Sequence, residues 1–307
     1  MRIANRLMTA GGKEMPAVWA SSTPMPVPKC SHAQVTLSDG RVLVIGGRDV
    51  NRAATATCYI GTVSGDTISW VSTNSLPNNR ISPTAVTLQD GRVLVVGGGN
   101  SSDARQSTVY LGTVSGDTIS WITSTSYPTT ITEMSAIVLP DGRAAFIGGY
   151  TSDKQVRFGT VTGNTVAWAT GTSIPAGRRF AGLMVTSDGR LMVSGGCTGT
   201  TNKLVTLLGT ITGNTVSWAS NGPAIPLDFF FRASTQAGTT LILADVEYGN
   251  IYGWDETAQE PSVYAWRNSA SSLPDGRSVM TGGYVDGNET TVVNNTYIGK
   301  FIASATP

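Results

Sequence analysis

Ahead of Asp39-Gly40-Arg41, the apolar residues Ala33, Val35 and Leu37 alternate with Gln34, Thr36 and Ser38. A period of two is that of a half-buried β-strand, and Asp-Gly is a strong hairpin signal. The next segment, Val42-Leu43-Val44-Ile45, is apolar at every position, which predicts a strand packed on both faces. A third strand is predicted at Tyr59-Ile60-Gly61-Thr62-Val63. The Gly65-Asp66 pair then suits a two-residue turn into a fourth strand at Ile68-Ser69-Trp70.

This unit recurs. Asp-Gly-Arg followed by an apolar run returns at Asp90-Gly91-Arg92, Asp141-Gly142-Arg143, Asp188-Gly189-Arg190 and Asp275-Gly276-Arg277, with a worn copy around Gly238. The runs end in paired glycines, such as Gly46-Gly47 and Gly97-Gly98. Downstream lies a second string, GTVSGDTISW or a variant, ending in Trp70, Trp121, Trp168 and Trp218. Repeats of this length made of four short strands predict an all-β propeller with one four-stranded antiparallel blade per unit, six in all.

Counting back 21 residues from Gly40, Gly91, Gly142 and Gly189 lands on Trp19, Trp70, Trp121 and Trp168. Trp19 therefore holds a fourth-strand position with no first three strands before it, whereas the last unit stops after its third strand at Tyr297-Ile298-Gly299. The expectation is that the N-terminal strand closes the last blade and removes an exposed sheet edge. The chain then divides into an arm over residues 1–15, a propeller over 16–301 and a tail over 302–307. Arg6-Leu7-Met8 echoes Arg190-Leu191-Met192, so the arm reads either as a relic strand or as an oligomerisation element.

The charge balance narrows the partners. With 13% charged residues and a net charge of +1, the chain has no broad field for a polyanion, and no basic run marks a nucleic-acid site. No apolar stretch is long enough to insert in a membrane. Cys30, Cys58 and Cys197 have neither CxxC spacing nor an even count, so they read as packed thiols, and no metal or other cofactor is expected.

The paired glycines, the following Tyr59, Tyr110 and Tyr297, and the closing Trp make the sequence resemble kelch repeats over residues 16–301. GTVSGDTISW is also similar to repeats of tail-fibre and other virion proteins of tailed phages. These resemblances imply a kelch-like propeller, placed in a virion, or in the cytoplasm if it is instead an interaction module of the eukaryotic kelch type.

What recurs in every blade is explained by packing, so a single site must come from what differs. The Trp series and the Asp-Gly-Arg arginines thus read as scaffold. The loops after the glycine pairs, GGRDVNRA, GGGNSSDARQS, GGYTSDKQV, GGCTGTTNK and GGYVDGNETT, are dissimilar and share one face with the connections between blades. Lys29, Arg80 and Arg178 occupy one register in those connections, with Arg232 nearby, and read either as lining the channel mouth to meet an anion or as solvated or paired to loop carboxylates. The fifth unit gathers Tyr248, Trp254, Asp255 and Trp266, aromatic faces beside a carboxylate, which reads either as a decayed blade with aromatics filling the space of a shortened strand or as a sugar site. The candidate ligand-binding set is Arg80, Arg178, Arg232, Tyr248, Trp254, Asp255 and Trp266, with no catalytic residue.

Enzyme readings find little support. His32 is the only histidine, too few imidazoles for a copper oxidase and the sole base for a Ser-His-Asp triad. In SGDTISW, Ile68 replaces the glycine that a sialidase Asp-box carries after its Asp. Glycoside cleavage by Asp255 with Glu247 is the remaining enzymatic alternative. The expected function is non-enzymatic recognition of a host surface glycan or another virion protein, with homo-oligomerisation open.

Overall fold

The computed structural model describes residues 3–5, 17–150, 154–198, 201–202, 205–219, 233–237, 240–245, 250–255, 269–283 and 291–301. Two strands come first, β1 (Ile3–Asn5) and β2 (Ala17–Ser21). The first blade is β3 (Ala33–Thr36), β4 (Val42–Ile45), β5 (Cys58–Ser64) and β6 (Thr67–Thr73). The second is β7 (Thr84–Thr87), β8 (Val93–Val96), β9 (Val109–Ser115) and β10 (Thr118–Thr123). The third is β11 (Ser135–Val138), β12 (Ala144–Ile147), β13 (Val156–Thr162) and β14 (Thr165–Thr170).

The fourth blade has β15 (Gly182–Val185) and β16 (Leu191–Ser194), then a small hairpin of β17 (Cys197–Thr198) and β18 (Thr201–Asn202). It is completed by β19 (Leu207–Thr212) and β20 (Thr215–Ala219). A sheet of β21 (Ala233–Ala237), β22 (Thr240–Asp245) and β23 (Asn250–Asp255) follows. The last blade contributes β24 (Ser269–Ser272), β25 (Ser278–Thr281) and β26 (Thr296–Phe301).

The expectation of six four-stranded blades is corrected. Five blades have the four-stranded build, so the propeller is five-bladed by that measure. The interval between the fourth and last blades holds the three-stranded sheet β21–β23 among the described residues. The physical reason lies in the sequence after Asp255, where no Gly-Asp or Gly-Asn turn directs a tight return into a Trp-bearing strand.

The last blade is closed as expected. β2 pairs antiparallel with β26, and Trp19 stands opposite Gly299, the register in which Trp70 stands opposite Gly61. β1 adds outside β2 as a fifth strand of this sheet, so part of the N-terminal arm belongs to the blade.

The apolar second strands are explained by packing on two sides. Leu43 and Ile45 of β4 cluster with Val93 and Val95 of the second blade, whereas Val42 meets Leu273, Val279 and Ile298 of the last. Leu94 and Val96 likewise turn to Ala144 and Phe146 of the third blade. The core is thus a series of sandwiches between blades. Each fully buried Val, Leu or Ile in it contributes about 1.5–3 kcal/mol of burial.

The repeated polar and glycine positions fasten neighbours to one another. At the seam above the second strands β4, β8, β12 and β25, the amides of Gly47, Gly98, Gly149 and Gly283 donate to the carbonyls of Arg80, Ile131, Arg178 and Lys29 in the following connection, at 2.8, 2.9, 3.2 and 2.8 Å. Both glycines of each pair have positive φ. A Cβ on Gly46 would lie 2.7 Å from the Arg80 carbonyl and one on Gly97 2.5 Å from that of Ile131.

On the opposite face, the Asp-Gly-Arg arginines are fixed by their own aspartates and also reach into the third-to-fourth-strand turn of the next blade. Arg41 donates to Gly116 O and Asp117, Arg143 to Gly213 O and Asn214, and Arg277 to Gly65 O. The Trp series is packing as well. The indole N–H groups of Trp70, Trp121, Trp168 and Trp218 donate to the carbonyls of Thr23, Asn74, Thr125 and Thr172 of the preceding blade. Each ring rests on the facing glycine of the third strand: a Cβ on Gly61 or Gly209 would lie 2.6 Å from it.

Two outcomes follow from these contacts. Gly46→Ala should cost about 3 kcal/mol or more, since a left-handed backbone and an immovable carbonyl both oppose the methyl. Gly65→Ala, left-handed but with nothing within 4 Å, should cost only about 1 kcal/mol; urea midpoints compare them. Deletion of residues 1–22 should abolish the cooperative melt by stripping β26 of its partner, and a truncated chain that melts like the intact one would refute this closure.

Candidate functional site

The inner strands β3, β7, β11, β15 and β24 line a central channel. A cavity of about 430 Å³ runs along their lower halves, walled by small or neutral side chains including Gln34, Thr36, Thr87, Ser271 and Ser272. A smaller one of about 140 Å³ lies at the end where the inner strands begin, beside His32, Thr84, Ser135, Phe180 and Ser269. This mouth opens on the face of the dissimilar loops.

The inner strands β3, β7, β11 and β15 are each entered through one left-handed residue. Ser31, Ser82, Glu133 and Phe180 occupy equivalent places, with φ of 52°, 47°, 62° and 54°. None is glycine, and such conformations in ordinary residues are held only by surrounding structure. The holding bonds run from blade to blade: Ser82 N donates to Ser31 O (2.7 Å), Glu133 N to Ser82 O (3.5 Å) and Phe180 N to Glu133 O (3.3 Å). Among the described residues the result is a backbone belt along the mouth from the first blade to the fourth, carrying serine in the first two, glutamate in the third and phenylalanine in the fourth.

The third blade makes this belt chemically distinct. Glu133 accepts from Arg179 at 2.8 Å, and both are largely shielded from solvent. The Arg179 guanidinium lies over the Tyr150 ring at 4.7 Å, and that of Arg105 over the same ring at 4.9 Å. Tyr150 nevertheless keeps 43% of its surface exposed. Two cations over one aromatic face region fix the ring without hiding it. Two guanidiniums, one carboxylate and an exposed phenol ring therefore stand together beside the channel mouth.

The positions singled out from the sequence fare differently. Arg80 and Arg178 lie in the connections of the expected face, but they are inside the wall, 3% and 1% exposed. Arg178 donates to Gly195 O (3.1 Å) and Val205 O (2.9 Å), and burial pulls its pKa down to about 10. Lys29, in the same register, is wholly buried and donates to Gly46 O, Thr55 Oγ1 and Thr57 Oγ1 at 2.7–2.8 Å. Burial lowers its pKa to about 8, with Cys58 and Asp49 opposing. In the third blade this register is Ile131. Trp254 and Asp255 fall on β23, described by its backbone alone. Arg232, Tyr248 and Trp266 lie outside the described residues.

Sequence reasoning missed Glu133, Arg105, Arg179 and Tyr150. A signal was present: aligned on the connections, Ser31-His32, Ser82-Pro83, Glu133-Met134 and Phe180-Ala181 show the third and fourth units departing from the serine of the first two.

His32 belongs to the scaffold. Its Nε2 is 2.9 Å from Thr281 Oγ1 of the last blade, which in turn donates to Gln34, and Gln34 Nε2 donates to Ser271 Oγ and Val279 O, both at 2.9 Å. Burial, helped by the Lys29 charge, pulls the His32 pKa down to about 3.

Neither a protein family nor a curated protein matches the sequence. A solved structure described as that of YjhT superposes with a TM-score of 0.70 at 15% identity, covering 89% of this chain and 95% of that one. Identity this low shows a common fold and nothing of function.

The His32 network sets a pH dependence. The unfolded chain takes up a proton below pH 6.5 and the folded one does not, so stability present above pH 6.5 is lost as pH falls toward 3. The loss is on the order of 4 kcal/mol. His32→Gln should flatten the fall of the denaturation midpoint between pH 6.5 and 4; an unchanged slope would place its origin elsewhere.

Proposed function

We propose that this β-propeller is a non-enzymatic recognition protein that holds a surface glycan on its loop-bearing face, at the channel mouth beside Tyr150. The observation that carries the reading is the exposed Tyr150 ring, fixed by Arg105 and Arg179 next to Glu133. An aromatic surface for the C–H face of a sugar, with charged donors and a carboxylate acceptor for its hydroxyls, is the chemistry of saccharide recognition.

Two further observations support it. The features that recur around the ring are occupied in fastening blades together, which leaves the dissimilar loops as the place where chemistry varies. The one imidazole is engaged between the first and last blades and held neutral, which disfavours a mechanism that needs it as base or ligand. The setting that fits the GTVSGDTISW phrasing is a phage tail or fibre, where a rigid, weakly charged propeller meets the host envelope or a neighbouring virion protein.

A glycan array followed by product analysis tests the reading. The intact chain should bind without releasing product, and Tyr150→Ala should weaken binding at least about tenfold while leaving the melting temperature unchanged. Cleavage of the bound glycan, or full affinity in Tyr150→Ala, would overturn it. For the virion setting, mass spectrometry of purified particles should find the protein.

A further inference from the structure

We propose that the second blade carries a binding pocket for a small oxyanion, a carboxylate or phosphate group, with Arg80 as its cationic wall. The pocket, about 390 Å³, lies on the loop-bearing face between the connection entering the blade and the loop from β8 to β9. Asn78, Asn79, Ser101, Gln106 and Thr108 line it with Arg80. Every one of these neighbours carries a hydrogen-bond donor and none carries a negative charge.

The state of Arg80 points to a missing partner. Arg80 is only 3% exposed, and its guanidinium makes two hydrogen bonds, one terminal nitrogen donating to Asn79 O (2.7 Å) and the other to Tyr110 Oη (2.9 Å), and lies over the Tyr110 ring at 5.1 Å. Nε has no partner. Tyr110 Oη already accepts a second bond, from Asn78 Nδ2 at 3.0 Å. A buried cation is costly unless an opposite charge faces it, and none does among the described residues. The acids of the adjoining loops are engaged elsewhere, Asp103 with Arg48 and Asp49 with the amides of Asn51 and Ala53.

The equivalent cations are held differently. Lys29 has all three of its N–H groups taken by acceptors of its own blade; Arg178 donates to two loop carbonyls through Nη1 while its Nη2, like Arg80 Nε, has no partner. Among the described residues, it is Arg80 that faces a polar cavity where Lys29 and Arg178 meet loop acceptors. A planar guanidinium with free N–H groups, surrounded by amide and hydroxyl donors, suits the oxygens of a carboxylate or phosphate.

The test follows the arginine Nε–Hε resonances of the full chain labelled with nitrogen-15, while sodium phosphate or sodium acetate is added, with sodium chloride at matched ionic strength as the control. The Arg80 signal, identified by its loss in Arg80→Lys, should move saturably with phosphate, acetate or both. Tighter phosphate binding would mark a phosphorylated ligand, and tighter acetate binding a carboxylated one. Should Arg80→Lys fail to fold, Asn79→Asp decides: a carboxylate built into the pocket should weaken anion binding at least about tenfold. Movement equal to that with chloride, no saturation, or undiminished binding in Asn79→Asp would overturn the proposal. These probes read the pocket and not the Tyr150 surface, so glycan recognition and anion binding fail separately.

Discussion

A ring of twisted sheets holds together only if each sheet is fastened to the next, and here the decisive fastening is a backbone bond that leaves no room for a side chain. The second glycine of four pairs, Gly47, Gly98, Gly149 and Gly283, sends its amide to a carbonyl of the following connection, and Gly46, Gly97 and Gly282 come so near that same carbonyl that a methyl group would collide with it. One such bond contributes on the order of 1 kcal/mol, but it also fixes where the next inner strand begins. Core sandwiches, channel radius and the left-handed belt at the mouth all depend on that placement. The opposite face is fixed independently by Arg41, Arg92, Arg143 and Arg277 reaching the next blade's turn. Each blade is thereby held at both ends.

Much of this was legible in the sequence. The period of two, the all-apolar second strands and the 21-residue spacing from Trp to turn glycine placed the strands and assigned Trp19 to the last blade, where its register against Gly299 repeats that of Trp70 against Gly61. Those features are readable because each obeys a local steric rule repeated several times. The blade count was less secure, because a worn repeat preserves hydrophobic strands after the turn that would make a fourth strand has gone.

The candidate site was only half legible. A common register showed that Lys29, Arg80 and Arg178 share an environment, and their charge suggested solvent; the structure puts them inside. Cations are seldom buried because desolvation opposes it, and what offsets the cost here, loop carbonyls and threonine hydroxyls brought from 17 to 28 residues away, has no local signature. The Tyr150 cluster is similarly non-local. Arg105, Glu133, Tyr150 and Arg179 come from three consecutive blades and meet only once those blades pack side by side.

The same geometry explains how a repetitive ring acquires distinct chemistry without losing its closure. At the position occupied by Lys29, Arg80, Ile131 and Arg178, the seam uses main-chain atoms. The side chain points away from that bond into its own blade, where lysine, arginine and isoleucine have all been accommodated. Substitution there changes the charge beneath the loops and leaves the fastening intact. The belt residues Ser31, Ser82, Glu133 and Phe180 follow the same rule, since their backbone atoms make the bonds between blades and their side chains are left to vary. Closure is carried by glycines and peptide groups, which are alike in every blade. Recognition is therefore free to reside in side chains set immediately beside them, and a single blade can differ while the ring stays closed.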